Sequence, residues 1–205
     1  MKGERDMITG IVRLGFNHLF EKAPEDSEIR PGLYDASILI DKSDDATIEC
    51  VKKCVNSAIA KGVKETWGGK KPVKLRTPMR DGDNDESSNG TPVNEGPYAD
   101  IYRNKYFMSP WSKSKPGIVD KHGAKIIDPD EVYAGCYVLV SLSFFPYKKG
   151  ANCGVGVVIN NLLKVKDGEP LAGKPTAESD FQGYDFDDDD DGLIYSYMRN
   201  RPLSA

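Results

Sequence analysis

Residues 134–147, AGCYVLVSLSFFPY, constrain this chain more than any other stretch. Cys136, Val138, Val140, Leu142 and Phe144 fall on one face at period two, with Tyr137, Leu139, Ser141, Ser143, Phe145 and Tyr147 on the other. Strict alternation argues a strand with one buried face. The second face has serines in mid-strand and large rings at its end, so it is half wet. A short turn, Lys148-Lys149-Gly150-Ala151-Asn152, leads into a return strand, GVGVVINNLLKV. Gly154 and Gly156 in that strand permit coiling or a close backbone approach.

Two earlier segments add strands. Residues 9–20 place Val12, Leu14 and Phe16 on one face and Arg13, Gly15 and Asn17 on the other, with Gly15 marking a bulge or bend. A polar loop over 21–32 separates them from LYDASILI at 33–40. Spacing then becomes helical over 43–61, where Ile48, Val51, Val55, Ala58 and Ile59 share a face. Ser43 suits the N-cap, Asp44 and Asp45 suit the positive helix start, and Gly62 suits the C′ position. Four or five strands with one helix and basic loops predict a mainly β small barrel. A doubly wound sheet needs regular helices between its strands, and these are missing. After residue 168 periodicity is lost, which predicts a disordered tail.

Charge is unevenly spread. The whole chain has a net charge of −4, yet residues 178–205 hold eight acids and two bases, so residues 1–177 are mildly basic. This predicts an anionic ligand on a body over 1–177 and an acidic tail over 178–205 able to meet basic surfaces. Residues 61–80 hold seven bases and one acid and read as a basic loop around an exposed-type Trp67. Residues 81–100 invert the sign, with six acids and no base, and the part to residue 97 reads as a mobile surface loop.

Several kinds of chemistry fit poorly. Asp81, Asp83 and Asp85 open like a calcium loop, but Glu86 and Pro92 stand where Gly and Glu are required. The acids at Asp187, Asp189 and Asp191 fail the same comparison. GGKK at 68–71 lacks the spacing of a phosphate-binding loop, no G-x-S-x-G occurs, and two histidines without a placed acid argue against nucleophilic catalysis. The expectation is a protein with no enzymatic activity, no cofactor and no metal. Cys50, Cys54, Cys136 and Cys153 form no C-x-x-C pair and read as buried free thiols. No apolar run is long enough to span a membrane and the first residues carry no hydrophobic signal, so the expected compartment is the cytoplasm.

The stretch Tyr98–Gly117 interleaves Tyr98, Tyr102, Tyr106, Phe107 and Trp111 with Arg103, Lys105, Lys113 and Lys115. Flat faces for unstacked bases beside cations for phosphates suit a single-stranded nucleic acid. A core strand with solvated lysines is the competing reading. Pro110, lacking an N–H, places any strand here at an edge or a bulge. Tyr98 and Tyr102 read as local packing.

Four blocks together, WGGKKPVKLRTPMRDGD at 67–83, YFMSPWSKSKPGIVD at 106–120, DPDEVYAGCYVLVSLSFFPY at 128–147 and DGEPLAGKPTAESDF at 167–181, resemble the bacteriophage single-stranded DNA-binding proteins. LYDASILIDKSDDATIECVKKCVNSA at 33–58 is similar to that family as well. The resemblance implies an OB-fold five-stranded Greek-key barrel with a helix inserted between early strands. It also implies a role in phage genome replication or recombination in the cytoplasm of the infected bacterial host. On such a fold Lys70, Lys71, Lys74, Arg76, Arg80, Lys113, Lys115, Lys148 and Lys149 are the candidate phosphate contacts. Tyr106, Trp111, Phe145 and Tyr147 are the candidate stacking rings. The resemblance further implies that Asp187, Asp188, Asp189, Asp190 and Asp191 contact replication proteins such as a polymerase or helicase. Masking of the DNA groove by this run is a second expectation for it. Strand annealing, or a protein-interaction or virion accessory module, are the alternative functions.

Overall fold

The structure, a computed structural model, describes residues 3–27, 30–86, 90–96 and 98–171. Two units are distinguished, Met1–Ala172 and Gly173–Ala205, and the second lies outside the described residues. So do the expected loose tail and its acidic run.

Among the described residues, ten strands and two α-helices follow in order: β1 (Asp6–Ile8), β2 (Val12–His18), β3 (Tyr34–Asp41), α1 (Asp45–Glu65), β4 (Leu75–Arg76), β5 (Arg80–Asp81), α2 (Ala99–Tyr102), β6 (Lys105–Met108), β7 (Trp111–Ser112), β8 (Gly117–Val119), β9 (Tyr137–Lys149) and β10 (Asn152–Lys166). β6 and β7 form one strand broken at Ser109-Pro110, where the missing N–H of proline cannot continue the ladder. The break is bridged by the Ala36 amide, which donates to the Pro110 carbonyl at 3.1 Å.

Pairing closes a ring. β2 is antiparallel to β3 and to β9, β3 is antiparallel to β6 and β7, and β9 is antiparallel to β10. The circuit ends where Trp111 of β7 pairs with Val158 of β10 in parallel. In chain order the barrel strands run first, second, third, fifth, fourth and back to the first. This is an OB barrel, as expected, with α1 between the second and third strands. β1 extends the β9 edge, and β4 and β8 both add in parallel to β10.

The core lies inside the ring. Val12, Leu14, Ile38, Ile40, Met108, Val138, Val140, Leu142, Phe144 and Ile159 are all buried there. The expected inward face of β9 is therefore the one that packs, and Phe145 and Tyr147 on the other face remain half-buried. Burial at about 25 cal/mol per Å² of apolar surface makes this alternation the main force fixing the register. In β2 the register shifts between Leu14 and Asn17. That bulge turns Phe16 outward, 36% exposed, away from the Val12 and Leu14 face it was expected to share. Gly15 sits buried in the bulge, where a Cβ would come within 2.9 Å of Ser37 Cβ.

Helix α1 differs from expectation at both ends. Asp44, not Ser43, is the N-cap, accepting from the Thr47 amide at 3.0 Å. Ile48, Val51, Val55 and Ala58 pack on the core as its apolar spacing predicts. The helix runs past Gly62, which is buried within it and is not a C′ residue. A Cβ at Gly62 would lie 2.6 Å from the Trp67 ring and 2.8 Å from Pro146. Trp67 is accordingly buried over the helix end, its Nε1 donating to the Tyr147 carbonyl at 3.1 Å. Of the four cysteines, Cys54 and Cys136 are buried with thiol pKa values pushed up by burial, whereas Cys50 is exposed, contrary to expectation.

The acidic segment after β5 is a hydrogen-bonded turn in its described part. Lys42 Nζ lies 2.6 Å from Asp81 Oδ1 and 2.7 Å from Asp83 Oδ2. The Asp83 amide donates to Asp81, the Asp81 amide to Asp85, and the Asn104 amide to Asp83 at 2.9 Å. Those carboxylates accept from backbone amides and one lysine. Burial alone would raise the Asp81 carboxyl, but hydrogen bonds from Lys42, Asn84 and the Asp83 amide outweigh it and hold the pKa low. Asp83 is lowered first by Lys42 and then by the Asn104 amide. The staple ties β5 to β6 and thereby sets one wall of the site described below. Among the described residues, no helix is long and apolar enough to cross a membrane.

Gly62→Val forces a branched side chain against Trp67, and overpacking of this kind costs about 1–3 kcal/mol. Urea denaturation is expected to show a lowered midpoint with an unchanged slope. Lys42→Met removes the partner of two carboxylates whose folded pKa values are depressed. Such groups stabilise the fold above their unfolded pKa of about 4 and lose that contribution as pH falls through the folded value. The stability gap between wild type and Lys42→Met is therefore widest near neutral pH and closes below about pH 4, as read by denaturation at stepped pH.

Candidate functional site

The outward residues near the β9–β10 turn make the floor of a groove of about 1140 Å³. Phe145 pairs across the ladder with Gly156, and Tyr147 with Gly154. Each ring lies on bare backbone. A Cβ at Gly154 would fall 2.8 Å from the Tyr147 hydroxyl, and one at Gly156 would run into the Phe145 ring. The two glycines expected to allow close backbone approach thus let two rings lie down and leave the groove open.

One wall comes from β7 and the loop between β2 and β3. Trp111 meets Phe145 edge to face, with centroids 6.0 Å apart and planes at 82°. The Arg30 guanidinium stands 5.4 Å from the Trp111 centroid, and its Nη2 donates to the Ser109 carbonyl at 3.3 Å. Arg30 has a φ of 57°, a left-handed conformation uncommon outside glycine, asparagine and aspartate. Burial pulls its pKa down, and nearby Asp35 offsets part of that. Asp35 is itself bonded to His18 Nδ1 at 2.7 Å.

The opposite wall is built on β6. Alternation sends Met108 into the core and Tyr106 toward the same side, so Phe107 faces the groove. Tyr102 packs on Phe107 at 4.8 Å, and Arg80 lies 5.1 Å from the Phe107 centroid. Arg80 is held by the Glu86 carbonyl and lies 3.7 Å from Asp85. Tyr98 completes this wall and contacts Phe16 at 4.9 Å.

Of the residues singled out from the sequence, Arg76, Arg80, Trp111, Phe145, Tyr147 and Lys149 line this groove together. Tyr106 does not: it packs against the core beneath Lys42, whose Nζ is 5.2 Å from its ring. Phe107 holds the groove position expected of Tyr106. Lys148 falls on the opposite strand face from Phe145 and Tyr147, as period two demands. Lys70, Lys71 and Lys74 are exposed on the segment between α1 and β4, outside the lining. Lys113 is exposed just past β7, and Lys115 sits 5.3 Å from the Phe20 ring beside a separate, smaller cleft. Asp187 to Asp191 lie outside the described residues.

Four of the lining rings and cations were outside the candidate contacts: Arg30, Tyr98, Tyr102 and Phe107. Tyr98 and Tyr102 were assigned to local packing, and they do pack locally, but on the groove wall. The completed lining has six aromatic rings and four cations, and among its described residues there is no carboxylate. Its place, between the loop after the first barrel strand, the third strand and the turn between the last two, is where OB barrels take oligonucleotides.

Comparison with solved structures agrees with this fold. The single-stranded DNA-binding protein from bacteriophage Enc34 in complex with ssDNA is similar at a TM-score of 0.63 and 19% identity, covering 84% of this chain and 96% of that one. A second structure of the Enc34 protein matches at 0.61 and 19%, covering 88% and 95%. The single-stranded DNA-binding protein gp2.5 encoded by bacteriophage T7 matches at 0.54 and 14%, covering 82% and 96%. Curated protein sequences give no match. The family model described as Enterobacter phage Enc34, ssDNA-binding protein, spans residues 5–193, and the chain belongs to that family.

Proposed function

We propose that this chain is a phage single-stranded DNA-binding protein that coats single strands during genome replication or recombination, in the cytoplasm of the infected host. One observation carries the reading: rings and cations line a single groove with no carboxylate among the described lining residues. Phe145, Tyr147 and Trp111 supply stacking faces, while Arg30, Arg76, Arg80 and Lys149 supply charge for phosphates. Rings and cations of this kind read no base edges, so binding is independent of sequence. No step of bond making is assigned to the site, and the protein acts by binding alone. Lys70, Lys71, Lys74 and Lys148, exposed outside the lining, take further phosphates. The division into a binding body over 1–177 and an acidic segment over 178–205 belongs to the same reading. That segment serves partner contact with replication proteins or electrostatic masking of the groove.

A gel shift with single-stranded and duplex oligonucleotides tests the function. Retarded single strands are expected, and a chain that shifts neither species fails this reading. A strand-annealing assay separates coating from pairing activity. Trp111→Ala is expected to weaken single-strand binding by about 1–3 kcal/mol, the worth of one stacked base. Affinity is expected to fall with salt at a log–log slope of about −0.7 per phosphate neutralised. Unchanged affinity in both Trp111→Ala and Lys113→Glu contradicts the assignment of this wall. Deleting residues 178–205 is expected to raise affinity, most strongly at low salt, and equal affinity there contradicts masking.

A further inference from the structure

The groove accounts for only part of the uncompensated positive charge on the barrel. Three short segments pair in parallel with one edge of β10, each at a different height. β4 meets Cys153 and Gly154, β7 meets Val158, and β8 meets Asn161 to Leu163. From Gly154 to Leu163 the strand rises about 30 Å at roughly 3.3 Å per residue. The groove covers the first half, from Arg76 to Trp111. The second half is the segment that leaves β7, enters β8 and turns back at a hairpin, where Val119 bridges to Lys125.

This second half is basic. Lys113, Lys115, Lys121 and Lys125 are all exposed, and none has a carboxylate partner among the described residues. Some lysines elsewhere are paired, Lys42 with Asp81 and Asp83, Lys105 with Asp41 and Lys164 with Asp167, whereas Lys70, Lys71, Lys74, Lys148 and Lys149 near the other end of β10 are, like these four, in no ion pair among the described residues. The single acid between Lys113 and Lys125 is Asp120, and its Oδ1 accepts from the amides of His122 and Ala124 at 2.8 Å each. It is occupied in closing the turn and does not pair with the lysines. Cations left unpaired along one strand edge are what an extended polyanion recognises, because each phosphate neutralised releases condensed counterions.

We infer that the single strand does not end its path at Trp111 but continues along the β10 edge over the 113–125 segment, where Lys121 and Lys125 take phosphates beyond the groove. This rests on the single-strand reading above and extends it to the length of strand one protomer holds. A path of about 30 Å accommodates roughly nine phosphates at the 3.4 Å per nucleotide of a stacked strand, and fewer if the strand is extended. The hairpin is therefore an affinity element for long strands and is silent for strands short enough to sit in the groove alone.

The test uses the full chain and fluorescently labelled oligothymidylates of about 5 and about 15 nucleotides, spanning the usual site sizes of such barrels. Wild type is compared with the double variant Lys121→Glu, Lys125→Glu and with Lys121→Gln, Lys125→Gln, which removes charge without reversing it. Expected for both variants is unchanged affinity for the short oligonucleotide and a loss of about tenfold or more for the long one, larger for the glutamates. The salt slope on the long strand should become shallower by about 1.4, two phosphates at 0.7 each. Equal losses on both lengths point to general electrostatics and overturn the inference, as does no loss on either. If wild type binds neither oligonucleotide, it is the single-strand reading itself that fails.

Discussion

The parallel contact between β7 and β10 is the constraint on which the rest of the molecule depends. All other strand pairs of the ring are antiparallel. Parallel pairing needs a crossover, and here the connection from Trp111 to Val158 passes through β8, the hairpin and all of β9. Without it the sheet is an open ribbon with β10 as an edge. With it, Trp111 is set beside Phe145, and a groove exists. The long β10 serves as the template: it pairs with β9 on one side and receives β4, β7 and β8 along the other.

Charge is sorted by the same architecture. The sequence places a strongly acidic block directly after a strongly basic one, and the fold keeps most of these acids off the groove cations, Arg80 with Asp85 being the pair that meets. Asp81 and Asp83 are used by Lys42 and by backbone amides, which secures β5 against β6. Asp35, close to Arg30 and Trp111, is hydrogen-bonded to His18. The acids needed to build the walls are thus spent within them, and the lining presents cations and rings.

How much of this could be read from the chain depends on how local the deciding interaction is. The two faces of β9 were legible because five alternating apolar residues leave one choice of core face. Phe145 and Tyr147 follow from that choice, and Gly154 and Gly156 from their place in the return strand. β6 was not legible in phase. It has four residues with bulky apolar groups on both faces, so alternation alone does not say whether Tyr106 or Phe107 turns inward; the pairing of Met108 with Ile38 and of Tyr106 with Ile40 decides it. The burial of Trp67 was not legible from its polar sequence neighbours, because it comes from the bare Gly62 one helical turn away and from the Tyr147 carbonyl eighty residues on. Arg30 carried no signal in a polar loop, since its partners, Ser109 and Trp111, lie some eighty residues away.

The break at Ser109-Pro110 has a thermodynamic consequence. With only a short β7 beyond the break, the barrel is closed by few parallel rungs, and those rungs are flanked by groove residues from both sides of the join. A ligand lying across Trp111 and Phe145 touches the third strand and the fourth at once. It binds the closed ring and has no equivalent in the opened one, so its free energy of binding is added to that of closure by mass action. Occupancy and integrity of the barrel are in this way two readings of one equilibrium.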